Sequence, residues 1–149
     1  MKADEIITYC LDNYGYLDYT QTPYGHELFY NQQNISVFVL SIQEFDSDDD
    51  NFSDLNHPDK YRLSLCLTND EYNKLFSKQC SYDKKYICFH ECDYTATNII
   101  MPHPVKSREN FIQCISPSKI IFEKVLKELI SLSYKRARQE YLLKKQNNM

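Results

Sequence analysis

The chain opens on a helical repeat. Within residues 3–14, Ile6, Ile7, Cys10, Leu11 and Tyr14 fall on one face, Asp4 and Glu5 occupy the first turn, and Gly15 takes the C′ position. Two strands follow, over 25–30 and 35–45, joined by the polar turn Asn31-Gln32-Gln33-Asn34. Ile35 to Ile42 is apolar on both faces, which places that strand centrally in a sheet. Residues 60–67 alternate strictly, with Tyr61, Leu63, Leu65 and Leu67 on one side and Lys60, Arg62, Ser64 and Cys66 on the other. Thr68 or Asn69 then caps a short helix through Phe76. Beyond it, 86–92 reads as a strand, and Asp93 as the cap of a short helix ending before Pro102. Pro102-His103-Pro104 predicts a rigid turn, and 110–115 a last strand. After Pro117, the residues Phe122, Leu126, Leu129, Ser133, Ala137 and Tyr141 trace the inward stripe of a long helix over 118–145.

These elements predict an α+β fold: a single, largely antiparallel sheet of about four to five strands, with helices packed on one face and a long C-terminal helix. Neither an internal repeat nor a linker interrupts the pattern. Residues 1–149 therefore read as one domain, with 143–149 expected to fray.

Composition narrows the function more than it defines it. The 149 residues contain 13 Tyr and 8 Phe but no Trp, far more buriable aromatic area than a disordered chain carries. Only two glycines are present, Gly15 and Gly25, so glycine-rich phosphate loops, dinucleotide fingerprints and the GxSxG elbow are excluded. Acidic residues interrupt the opening segment where a signal peptide needs an apolar run, and no stretch is long enough to span a membrane. A cytoplasmic protein is expected. All six cysteines are expected to be reduced, with Cys10, Cys66 and Cys114 acting as small hydrophobes.

The net charge of −4 is unevenly spread. From Ser116 onward eight Lys/Arg face three Glu, leaving the first 115 residues at −9. A globally acidic chain is a poor nonspecific binder of nucleic acid. Its basic helix end, Lys135, Arg136, Arg138, Lys144 and Lys145, reads as a solvated face, with a nucleic-acid or acidic partner as the sharper alternatives.

Four residues stand out as candidates for a ligand site. Arg62 is the one arginine on the polar side of the alternating strand, where a forked guanidinium suits a carboxylate or phosphate. The plainer reading is a salt bridge to Asp46 or Asp50 from the neighbouring acidic loop. His103, fixed between two prolines, either offers a neutral imidazole near pH 7 or holds its own turn shut. Asp46, Asp48 and Asp50 alternate like the first ligands of a calcium loop, but Asn51 and His57 stand where that loop needs Gly and Glu. Cys88, His90 and Cys92, with Cys80, are zinc-type ligands without a CxxC knuckle, so no metal and no cofactor are expected.

Three strings also carry a family resemblance. Asp54-Leu55-Asn56-His57-Pro58-Asp59-Lys60-Tyr61-Arg62-Leu63-Ser64-Leu65 resembles the L-D-R-P-G-x-F-R-L-N-I-G pattern of a bacterial domain-of-unknown-function family, number 6194. Asp93-Tyr94-Thr95-Ala96 with Met101-Pro102-His103-Pro104-Val105 forms the second match. Ile115-Ser116-Pro117-Ser118, where the family shows L-N-P-S before its last helix, forms the third. The chain departs from the family pattern at Phe111, in place of a usual Trp, and at His57-Pro58-Asp59, in place of an Arg-Pro-Gly turn. Its entry to the first strand reads Gly25-His26-Glu27. The resemblance implies a shared fold and no established activity. More remotely, the late histidine and the final helix with Leu129-Ile130-Ser131-Leu132-Ser133-Tyr134 resemble the YjbR/MmcQ-type fold, an α+β group for which nucleic-acid binding has been suggested.

The functional expectation is a non-catalytic binding module. It would hold a small anionic ligand or partner segment at Arg62, His103, Asp46 and Asp50. One rival is an enzyme using His103 as general acid–base and Arg62 to stabilise an anionic transition state. The other is weak nucleic-acid binding through the basic helix end.

Overall fold

The computed structural model describes residues 1–148. Helix α1 (Ala3–Asn13) leads into β1 (Leu17–Thr22), β2 (Gly25–Gln32) and β3 (Ile35–Gln43), a three-stranded meander. An irregular segment reaches β4 (Arg62–Cys66), followed by α2 (Asn69–Leu75), β5 (Ile100–Pro102) and β6 (Phe111–Ile115). The strands form one sheet in the order β1-β2-β3-β4-β6-β5, and every pairing is antiparallel. The C-terminal helix starts at α3 (Lys119–Ile121), widens through a π-helical stretch at Phe122–Leu126, and continues as α4 (Lys127–Asn147).

Register sorts the side chains of the central strands by chemistry. Leu40 pairs with Leu65, Ile42 with Leu63, Leu63 with Cys114, and Leu65 with Ile112. This apolar face is sealed by α1 and the C-terminal helix, which share one core with it through Ile6, Cys10, Phe122, Leu126, Leu129 and Ala137. On the reverse face Ser41 pairs with Ser64, Gln43 with Arg62, and Ser64 with Gln113. Because side chains alternate along a strand, burying the leucines forces these polar residues to the other side. At the meander's base the backbones approach closely: a Cβ on Gly25 would lie 1.9 Å from the Ile42 carbonyl oxygen.

The sheet splits where β3 and β4 part. Their ladder runs from Gln43–Arg62 to Leu40–Leu65 and stops. Two polar residues of α4 fill the gap. The Ser133 hydroxyl accepts from the Cys66 N–H at 3.3 Å and donates to the Val39 carbonyl at 2.6 Å. Arg136 Nε donates to the Cys66 carbonyl at 2.7 Å, while the same guanidinium reaches the Phe38 carbonyl and Glu140. The inward position of Ser133 follows the sequence reading. Arg136 does not: it is buried and structural, whereas the sequence placed it on a solvated basic face.

Six strands replace the expected four to five. β1 was invisible because it is a polar edge strand, largely exposed, that pairs only with β2. β5 occupies the region expected as a short helix; Asp93 there closes a turn through Thr95. Residues 86–92 are not a strand. Glu91 is left-handed (φ 50), and the chain doubles back so that the Cα atoms of Cys88 and Cys92 lie 5.9 Å apart. A strand would hold them about 13 Å apart. Cys88 and Cys92 are joined by a disulfide, which corrects the expectation of six reduced thiols; Cys10, Cys66, Cys80 and Cys114 are free. Asp59 adopts φ 63, the conformation a glycine at this turn would take at no steric cost. Among the described residues, no helix is long and apolar enough to cross a membrane.

The wedge between β3 and β4 makes a testable statement. Arg136→Ala leaves two backbone carbonyls without a partner and should cost about 3 kcal/mol in urea unfolding. Removing its exposed neighbour, Arg138→Ala, should change stability by no more than about 0.5 kcal/mol.

Candidate functional site

Arg62 lies on the sheet face opposite the helices, as alternation requires, yet it is fully buried. The expectation of an open polar surface is therefore corrected. The segment between β3 and β4 folds back across this face, and Asp50 grips the guanidinium with both carboxylate oxygens, Nη2–Oδ1 at 2.9 Å and Nη1–Oδ2 closer still. Nη1 also donates to Gln43 Oε1 at 3.0 Å, and Nη2 to the Ser53 hydroxyl at 2.7 Å. Ser53 passes the chain on to Gln113 Oε1 at 3.4 Å, and Gln113 Nε2 donates to the Tyr94 carbonyl. Arg62 thereby clamps two connecting segments onto the sheet. Of the four candidate residues, Arg62, Asp50 and His103 converge. Asp46 does not: its carboxylate accepts from the Leu55 N–H at 3.0 Å and closes the 46–56 loop instead.

His103 packs against the same pair. Its Nε2 lies 3.5 Å from Arg62 Nη1 and 3.8 Å from Asp50 Oδ2. Its Nδ1 accepts two backbone hydrogen bonds, from Val105 at 3.1 Å and Lys106 at 3.0 Å. An acceptor at Nδ1 places the proton of the neutral ring on Nε2, pointing at the carboxylate rather than receiving from the guanidinium. Burial, with Arg62 beside it, pushes the pKa of His103 down to about 4, against the opposing pull of Asp50. The imidazole is thus neutral at pH 7, and its one lone pair is committed to the turn. That geometry holds the turn shut and leaves no atom for general base catalysis.

A cavity of about 320 Å³ opens beside this network. The paired Ser41 and Ser64 form part of its floor, because two small side chains opposite one another leave a depression in the sheet. Phe38 and Phe111, with ring centroids 5.0 Å apart, supply an aromatic wall. Gln43, Asp50 and His103 supply a polar one. Arg62 itself does not line the space, and its fork is filled by Asp50. Three carboxylates, Glu27, Asp49 and Asp50, line the cavity against one ammonium, Lys106. The case for an anionic ligand, which rested on a free arginine, loses its recognition element.

Sequence reasoning missed several members of this assembly. Ser53 and Gln113 are buried relays that no spacing rule marks. His26 borders the cavity from β2 but pairs with Ile42, so its ring lies on the helix-covered face, held between Tyr19 and Glu44. Cys88 and Cys92 are bonded to each other, and among the described residues no group of three or more His, Cys, Asp or Glu is arranged to hold a metal ion.

Two measurements check this geometry. Asp50→Ala leaves a buried guanidinium uncompensated and should cost about 3–5 kcal/mol; replacing both partners, with Arg62→Met added, should recover most of that loss. His103 is neutral in both folded and unfolded chains above pH 6.5, so its contribution is intact there. As pH falls from about 6.5 towards 4, the unfolded chain takes up a proton that the folded chain refuses, and stability should drop by roughly 3 kcal/mol. His103→Asn, whose side-chain oxygen can still accept from the turn, should flatten that part of the profile.

No curated protein and no solved structure matches the chain. A family model does, and it spans residues 1–146, taking in the meander, the clamped loop, the His103 turn and nearly all of the C-terminal helix. With that coverage, the chain belongs to the family of unknown function DUF6194.

Proposed function

We propose that this domain is a binding module whose cavity beside the Arg62–Asp50 pair holds, without catalysis at that site, a small, ring-bearing polar molecule, uncharged or cationic. The carrying observation is the cavity's construction: opposed serine hydroxyls at its floor, an aromatic wall at Phe38 and Phe111, and polar groups already fixed by the buried clamp. Its volume of about 320 Å³ sits at the small end of ligand sites and suits a single ring with a few polar substituents. A flat ring would lie on the phenylalanines, and its donors would meet Gln43, Asp50 and the serines. The carboxylate excess along the lining favours positive or neutral ligands over anions.

This reading replaces the anion preference drawn from Arg62, whose charge Asp50 neutralises. Catalysis through His103 has little support from a buried imidazole whose lone pair is already used. Nucleic-acid binding loses one of its five basic residues, since Arg136 is spent on backbone carbonyls.

Thermal unfolding against a panel of single-ring anions, neutral molecules and cations tests the proposal. A neutral or cationic member should raise the midpoint saturably, by about 5–10 °C at a hundredfold excess over its Kd. Ser41→Leu, which fills the floor, should abolish that shift while leaving the unliganded midpoint within a few degrees. A response to anions alone, or one that survives Ser41→Leu, contradicts the assignment.

A further inference from the structure

The first three strands assemble a second constellation, away from the Arg62 clamp. Gln21 pairs with His26 across β1 and β2, so Tyr19 lies diagonally beside His26 on the same face. His26 pairs with Ile42 across β2 and β3, which sets Glu44, just past the end of β3, on its other flank. The Tyr19 hydroxyl is 2.5 Å from His26 Nδ1, and His26 Nε2 is 2.6 Å from Glu44 Oε1. The tyrosine and imidazole rings stack with centroids 5.6 Å apart.

The proton positions follow from chemistry. An ionised carboxylate only accepts, so Nε2 carries the proton of the neutral ring. Nδ1 must then accept, and the phenol must donate to it. The resulting order, hydroxyl to imidazole to carboxylate, is the one that activates an oxygen nucleophile by removing its proton as it attacks. Tyr19 is also accessible, at 45% exposed, and all three residues line an open groove of about 1190 Å³. Leu11 and Phe45 offer that groove apolar surface. Lys2 and Lys60 line it too, and among the described residues neither forms an ion pair. They add positive charge to a groove in which an ester's carbonyl oxygen would become negative.

We propose that Tyr19, His26 and Glu44 form an acyl-transfer site that hydrolyses carboxylic esters with an apolar acyl group, independently of the ligand cavity. The Tyr19 oxygen attacks the ester carbonyl carbon, and its proton passes to His26 Nδ1. Glu44 orients the ring and stabilises the imidazolium through the Nε2 proton. The tetrahedral intermediate collapses with cleavage of the bond to the alcohol oxygen, which leaves with the proton from His26. Water then attacks the acyl-tyrosine, giving its proton to His26. The carboxylic acid departs, and the phenol regains its proton. Tyr19 and His26 are the catalytic residues, and Glu44 is a positioning residue. A hydrogen-bonded ladder that merely fastened the sheet edge would leave Tyr19 no more reactive than any exposed tyrosine.

That contrast sets the experiment. The full chain is mixed with p-nitrophenyl acetate, release of p-nitrophenolate is followed, and acetylated residues are located by mass spectrometry. Tyr16 and Tyr24, which are at least as exposed as Tyr19, serve as internal controls. The expected result is an initial burst with acetyl on Tyr19 at least tenfold ahead of both controls. The burst disappears in Tyr19→Phe. In Glu44→Gln acetylation slows at least tenfold and the shape of its pH–rate profile changes from that of the native chain. Acetylation of Tyr19 no faster than that of Tyr16 or Tyr24 overturns the proposal, and this comparison needs no variant to fold. An unchanged rate and pH profile in Glu44→Gln overturns it equally.

Discussion

A charged pair sealed beneath a loop governs the reverse face of this sheet. Arg62 has no contact with solvent, so its charge is tolerable only because Asp50 returns both carboxylate oxygens to it and the Gln43 and Ser53 oxygens accept further hydrogen bonds from it. The cost of removing an unpaired guanidinium from water is several kcal/mol, and that cost is what makes the loop's position obligatory. Once the loop is fixed, the neighbouring His103 turn, the Ser41–Ser64 floor and the Phe38–Phe111 wall enclose a space of defined shape. The cavity is a by-product of satisfying one buried charge.

The opposite face is organised by the same demand in another form. Where β3 and β4 separate, their backbone groups would be buried without partners. Ser133 and Arg136 meet them from α4, so the C-terminal helix both covers the leucine face and completes the hydrogen bonding of the split. Polar residues thus fix the register of helix against sheet, while the aliphatic residues around them supply most of the apolar burial.

Much of this was readable along the chain wherever a periodic pattern coincided with burial. The alternation at 60–67 and the stripe running from Phe122 to Tyr141 gave the central strand, the long helix and even the inward Ser133. A pairing of Arg62 with Asp46 or Asp50 could be anticipated from charge and proximity, though not which aspartate would win. β1 left no trace, because a polar edge strand borrows its structure from its neighbour rather than from a buried face of its own. The 86–92 segment misled because β-branched and aromatic residues there signal a strand, while a left-handed Glu91 folds the chain back into a disulfide loop. Arg136 and the Tyr19–His26–Glu44 row were equally hidden. Their roles depend on cross-strand register and helix docking, which set distances between residues that sequence separation does not encode.

Amide hydrogen exchange over residues 46–56 tests the central claim most directly. The Leu55 N–H, bonded to Asp46, and the Ser47–Asp50 backbone pair lie within this loop, and their protection reports how firmly it is held. In the native chain these amides should be protected, and Asp50→Asn should release them while the β2–β3 ladder keeps its protection. Free exchange of these amides in the native chain, or protection that Asp50→Asn leaves untouched, would mean that the buried pair does not hold this face together.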